Sequence, residues 1–217
     1  MASIPKPEKG PAHARRTFAL RATVGGLAAL DVFLLVLATR LASGVVRDGA
    51  GSVTTGYNLA LAIGVTLVAA AAISFLPLPR SLRGRLQAFA LGAQALHAIG
   101  HLARWYYVLP WYDDALHFLV VLAATLLALD LANAWDLFPE RHHTRARVTL
   151  VALVAGLAMA GAWEIFEFAM DEIQSSREQD DLKDTMMDMI DGGFGSAAAA
   201  LVAMKRLRPR PRRGAGH

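Results

Sequence analysis

Residues 111–135 read WYDDALHFLVVLAATLLALDLANAW. Two acids and a histidine, Asp113, Asp114 and His117, stand at the head of a run that is otherwise almost wholly apolar. From about Asp114 to Trp135 the segment has the roughly 20 residues that a helix needs to cross about 30 Å of hydrocarbon. A bare hydrophobic helix has no use for hydrophilic side chains at its head. Their presence makes the segment more than an anchor.

The whole chain has the same character. Its 217 residues are 55% hydrophobic, with a mean hydropathy of +0.38, above the roughly 45–50% apolar content usual in soluble domains. Apolar blocks recur at membrane-spanning length and define six spans, at about Phe18–Leu41, Gly56–Leu76, Leu86–Val108, Asp114–Trp135, Val148–Met170 and Asp184–Met204. Pro77, Pro79, Pro110 and Pro139 fall between spans, where a helix-breaking ring does least harm. The first block is longer than a signal-peptide core and reads as an uncleaved anchor. The expected fold is an all-α polytopic membrane protein, a six-transmembrane-helix bundle over 18–204 with a basic tail at each end, 1–17 and 205–217.

Loop charge orients the spans. Arginine and lysine fill four segments: before the first span, between the second and third (Arg80, Arg83, Arg85), between the fourth and fifth (Arg141, Arg145, Arg147), and after the sixth. If the spans alternate, all four lie on one side, which the positive-inside rule makes cytoplasmic. Both termini are then cytoplasmic, and the expected location is the bacterial inner membrane. The basic C-terminal run reads as a topology anchor near anionic lipid, not as a nucleic-acid surface. There are no cysteines, which excludes disulfides, thiolate metal sites and cysteine nucleophiles. Gly-rich phosphate loops, GxSxG and nucleic-acid fold signatures are also missing.

Polar residues inside the spans form stripes. At about 100° per residue, Gln94, His97, His101 and Arg104 fall at roughly 0°, 300°, 340° and 280°, one narrow face of the third span. His117 lies between Asp113 and Asp114 on the fourth. Glu164, Glu167 and Asp171 lie within about 60° on the fifth, and Asp184, Asp188, Asp191 and Gly195 within about 60° on the sixth. With a rise of about 1.5 Å per residue and the orientation above, all fall within roughly 0–15 Å of the outer boundary of the hydrocarbon. The expectation is one pocket in the outer half of the bilayer.

An ionised side chain in hydrocarbon costs at least about 2.5–3.5 kcal/mol, and several carboxylates together also repel. Arg104 and three histidines do not balance so many acids. A divalent ion does, and imidazole with carboxylate suits Zn, Mn or Fe. His97, His101, Asp113, His117, Asp184 and Asp188 are the expected metal ligands, with Glu164 and Glu167 as catalytic acid–base groups. Plainer roles compete. His97 and His101 can hydrogen-bond between helices, Asp113 or Asp114 can be an N-cap, and Asp31 and Asp130 read as acids with structural partners. Gly192, Gly193 and Gly195 with Ala197–Ala200 read as a close-packing surface.

At these residues the sequence resembles the YjdF-like family of bacterial inner-membrane proteins, whose function is not established. The likeness rests on YDDALHF, on WEIFEF and on QDDLKDTMMDMIDGGFGS, and covers roughly residues 97–200. The first two spans match only in hydropathy. The resemblance carries over to Tyr112, Asp113, His117, Phe118, Glu164, Glu167, Asp184, Thr185 and Asp188. A weaker likeness to VanZ-like membrane proteins rests on the Asp-x-x-x-His-Phe element alone. Neither implies a reaction. Three functions fit the residues: a metal-dependent hydrolase or transferase acting on a lipid or lipid-linked headgroup, a proton- or metal-ion-coupled transporter, and a noncatalytic protein with a structural ion. A carboxylate-bridged dimetal oxidase is a variant, since Asp114-x-x-His117 is present once and not twice. The inner parts of the fifth and sixth spans are Ala/Gly/Val/Leu-rich, which favours a one-sided pocket over a transport path.

Overall fold

The computed structural model describes residues 11–42, 52–135, 137, 144–174 and 181–206. Among them are seven helices: α1 (Pro11–Ala42), α2 (Ser52–Ile73), α3 (Arg80–Leu102), α4 (Trp105–Val108), α5 (Tyr112–Ala134), α6 (Arg145–Gln174) and α7 (Leu182–Arg206). Stretches of four are long and apolar enough to cross a membrane: Thr17–Ala42, Gly56–Ile73, Tyr112–Ala134 and Arg145–Ile173. The chain divides into two compact units, Met1–Trp105 and Tyr106–His217. The two basic tails expected at 1–17 and 205–217 lie largely outside the described residues, as do Arg141 and Pro139.

The expected third span is interrupted. The helix over 86–108 ends at Leu102, because Arg104 takes a left-handed backbone with φ 61°. That conformation brings the Cβ of an L-residue too close to the following carbonyl and stops an α-helix. The Arg104 amide bonds to the His101 carbonyl at 3.1 Å, closing a tight turn before α4. Hydropathy alone cannot register a single backbone reversal, so the run looked continuous.

In the first unit, α2 runs antiparallel to α1, and α3 returns parallel to it. Gly56 opens the α1–α2 contact, since a Cβ there would lie 2.8 Å from the Ala38 carbonyl oxygen. Leu20 packs over Gly84, and further along Leu27 packs over Gly92. Gln87 ties α3 to α2 by donating to the Ala70 carbonyl at 2.8 Å and to Ser74 Oγ at 2.9 Å. Between these ties Leu34, Ala38, Leu59, Ile63, Ala95 and Ala98 form the apolar core.

The second unit repeats the up-and-down plan in four levels, each one helix turn from the next. At the first, His117 of α5 and Asp188 of α7 approach Glu164 of α6. At the second, Val121 and Ala160 close on Gly192, where a Cβ would be 2.9 Å from Ala160 Cβ. At the third, Thr125 and Ser196 enclose Gly156, and Ser196 Oγ donates to the Ala152 carbonyl at 2.8 Å. At the fourth, Leu129, Ala152 and Ala200 meet. A Cβ on Gly195 would press directly on the Phe118 carbonyl oxygen, so α5 and α7 touch backbone to side-chain-free backbone. The close-packing role expected of Gly192 and Gly195 holds. Gly193 differs, with only an ordinary 3.7 Å approach to Leu157.

Large apolar side chains point outward while polar ones lie inside. Phe33, Val65, Val68, Leu150, Val154, Ile165 and Phe168 are exposed, whereas Asp31, His117, Thr125, Glu164, Asp188 and Ser196 are buried. Exposed apolar area on this scale marks a surface made for lipid.

The glycine contacts predict a paired outcome in thermal denaturation of the purified protein. Gly195→Ala should destabilise by about 1–3 kcal/mol, the usual cost of overpacking. Gly193→Ala should be neutral or slightly stabilising, because it gains helix propensity without a collision. Equal melting temperatures for the two variants would contradict the packing.

Candidate metal centre

The site is built from the ends of three helices of the second unit. α5 begins at Tyr112, and its N-cap is Trp111, which makes no side-chain cap bond. Asp113 and Asp114 therefore stand within the first turn and are not caps. His117 follows one turn later, buried at 8% exposure. Its Nε2 lies 3.5 Å from Asp113 Oδ1 and 3.7 Å from Asp188 Oδ1. Four donors held about 2.0–2.2 Å from one ion sit roughly 3.3–3.6 Å apart at the corners of a tetrahedron. Both separations fall at or just beyond that range.

α7 starts where a cap tells it to. Asp181 Oδ1 accepts from the Asp184 amide at 2.9 Å, and the Asp181 carbonyl accepts from the Thr185 amide at 3.2 Å. The cap sets the phase of α7 and delivers Asp188, 3% exposed, to the interior. Asp184 is half-buried one turn earlier. α6 brings Glu164, 5% exposed, and Glu167, half-buried, from the opposite direction.

Two donor groups result. Asp113, His117 and Asp188 form one, and Glu164, Glu167 and Asp188 form the other, with the ligand atoms of each within 4.8 Å of one another. Asp188 belongs to both. Two ionised carboxylates at 4.8 Å repel by about 3–4 kcal/mol at an effective dielectric near 20. The second group contains three such pairs, so its acids require neutralisation by protons or by a bound cation.

Three expected ligands, His97, His101 and Asp184, belong to neither group; Asp184 stays half-buried one turn before Asp188. His97 and His101 lie on α3 in the first unit, with ring centroids 4.6 Å apart and edge-on. Two features were not anticipated. Trp163 Nε1 donates to Glu167 Oε1 at 2.8 Å, which fixes that carboxylate on the α6 surface. Asp191 shares a side-chain hydrogen bond with Asp114. The first was legible as an i, i+4 pair in WEIFE. The second joins two helices and left no local signal.

Residues 28–209 match the family described as predicted membrane protein (DUF2238), and the chain belongs to that family. It is thus a multi-pass membrane protein with several apolar helices. The match carries neither the YjdF-like nor the VanZ-like name that the motifs suggested. No curated protein and no solved structure is significantly similar to the chain.

Loss of the cap at Asp181 should unsettle this end of α7. Asp181→Ala is expected to lower stability by about 1 kcal/mol, within the roughly 0.5–2 kcal/mol range of N-cap removals. Asp181→Asn, which keeps an acceptor, should restore most of it. Amide exchange over residues 182–188 reads the fraying directly, and unchanged exchange in Asp181→Ala would refute the cap.

Proposed function

We propose that the second unit holds a divalent transition metal, of the Zn, Mn or Fe class, and that the chain is a metal-dependent hydrolase or transferase acting on a lipid or lipid-linked headgroup. The observation that carries this reading is the meeting of Asp113, His117 and Asp188 within 4.8 Å, beside Glu164 and Glu167. Imidazole with carboxylate is a donor set for these metals, and the two short separations from His117 Nε2 suit a single small ion. Such an ion supplies Lewis acidity and an activated water. The chain supplies the rest. Asp113, His117 and Asp188 hold it, and Glu164 accepts the proton from a reacting hydroxyl. Trp163 keeps Glu167 oriented by their hydrogen bond.

Directly beneath the site, Val121 and Ala160 stand so near Gly192 that not even a Cβ would fit there. That packing favours a one-sided pocket over the transport alternative, which needs a polar path through the unit. It also fits a site open to one interface, where a headgroup would be found.

The proposed setting is the bacterial inner membrane with six spans and both termini cytoplasmic. α3 and α7, with 23 and 25 residues, are each about 35 Å long or more. α7 keeps pace with α5 through four levels, and α3 with α1, so each crosses if its partner does. Asp113, Glu164 and Asp188 then lie toward the outer face.

Two measurements test this. Elemental analysis of protein purified without chelator should find a transition metal, and His117→Ala and Asp188→Asn should each lose most of it while remaining folded. Wild-type protein holding less than about a tenth of an equivalent after supplementation would end the metal reading. Because the chain has no cysteine, single cysteines report topology without a background. A cysteine at Arg83 should be labelled only from the cytoplasmic side, and labelling from outside would invert the orientation.

A further inference from the structure

The interior of the first unit contains a second polar constellation. Asp31 of α1 has no exposed surface, and neither of its carboxylate oxygens has a hydrogen-bond partner among the described residues. The structural pairing expected of it is therefore not found. On α3, the Gln94 amide nitrogen is buried and likewise without a partner, while its Oε1 accepts from Thr66 Oγ1 of α2 at 3.2 Å. Three orphaned atoms lie in one bundle.

The helix alignment brings them to one level. Leu20 lies at Gly84 and Leu27 at Gly92, so Asp31, one turn past Leu27, falls beside the turn holding Gln94 and Ala95. On the antiparallel α2, Gly56 meets Leu41. Thr66 is ten residues on from Gly56 and Asp31 is ten residues back from Leu41, which sets them level. Each helix contributes one member.

Counter-charge is scarce at this level. α2 carries no charged residue or histidine, with Tyr57 its only titratable group. On α1 the nearest charges, Arg21 and Arg40, are more than two turns away. On α3 the titratable neighbours are His97, one turn on, His101 beyond it, and Arg85 more than two turns back. Hard metal ions want about six or more oxygens. α1, α2 and α3 are continuous α-helix here, so their backbone carbonyls are already engaged. The cation that needs the fewest ligands is a proton.

We propose that Asp31, with Gln94 and Thr66, is a reversible proton-binding site inside the first unit. A proton on one Asp31 oxygen turns that oxygen into a donor toward Gln94 Oε1. The Gln94 amide nitrogen does not reach Asp31 in this structure; as the pair closes on that proton it donates to the other Asp31 oxygen, an acid–amide pair with two complementary hydrogen bonds. The proton removes the charge and supplies the one donor the pair lacks, and closing the pair gives all three orphaned atoms a partner. Thr66 holds the amide in place through its existing bond to Oε1. His97 and His101, stacked edge-on further along α3, continue the polar stripe and offer the route by which the proton exchanges.

Infrared spectroscopy of the full chain in lipid tests the site. Wild-type protein at neutral pH should show a protonated-carboxyl C=O stretch that Asp31→Asn lacks, and raising the pH should convert it reversibly to a carboxylate band. Gln94→Leu should move that stretch to higher wavenumber, because the carbonyl loses its hydrogen bond. A carboxylate band in place of a carboxyl band as the Asp31→Asn difference at neutral pH overturns the proposal, as does a stretch that Gln94→Leu leaves in place. Should either variant fail to fold, a hydrophobic carbodiimide applied to the wild type decides, since it adds only to a protonated carboxyl. Modification at Asp31 that is lost at high pH supports the site. An unmodified Asp31, in protein whose other membrane carboxyls react, refutes it.

Discussion

Hydrocarbon offers no hydrogen bonds, so a polar side chain in a membrane helix is driven toward the interior of the protein, where partners are. That constraint organises both halves of this chain. It turns Phe33, Val65, Leu150 and Phe168 outward and His117, Glu164, Asp188, Thr125 and Ser196 inward, the reverse of a water-soluble bundle. It also explains why so much small-residue contact is needed. With lipid as apolar as leucine, helices gain little from hiding apolar surface and must instead approach closely enough for dispersion and hydrogen bonds to hold them. Gly56, Gly192 and Gly195 provide that approach. The hydroxyl of Ser196 and the amide of Gln87 reach backbone carbonyls on neighbouring helices.

The polar cluster depends on the packing beneath it. Asp188 reaches His117 because Gly192 and Gly195, one and two turns below, let α7 lie against α5 without intervening side chains. Glu164 and Glu167 reach the same place because Ala160 and Gly156 do the same for α6. The acids contribute repulsion, and the apolar levels supply the cohesion that holds them together. A site of this kind is assembled by neighbours that never touch its ligand.

Much of this could be read from the sequence, for identifiable reasons. Helices are local, so apolar run length located the membrane-length stretches of α1, α2, α5 and α6 to within a few residues, though α1 itself begins earlier, at Pro11. The 3.6-residue period put Glu164 with Glu167 and Asp184 with Asp188 on common faces. On three helices the polar groups do come to one end, because α5 and α7 run parallel and α6 runs antiparallel to both. What remained hidden is either a single torsion, as at Arg104, or a pairing across helices, as between Asp114 and Asp191. The same limit applies to Asp31, whose lack of a partner is a property of three helices at once. Periodicity says which way a side chain faces along one helix. It is silent on what stands opposite.

The regular stacking of the second unit bears on how such a sequence can change over time. His117 with Asp188, Val121 with Gly192, Thr125 with Ser196 and Leu129 with Ala200 advance in steps of four on both helices. One residue inserted or deleted between Asp188 and Ala200 would swing everything beyond it by about 100°. Glycines would then turn away from α5 and α6, and bulky neighbours would meet the Phe118 backbone. Point substitutions at outward positions leave this ladder untouched. Within the segment that follows Asp188, chain length is therefore under tighter restraint than composition, and divergence should proceed there by exchange of residues and not by gain or loss of them.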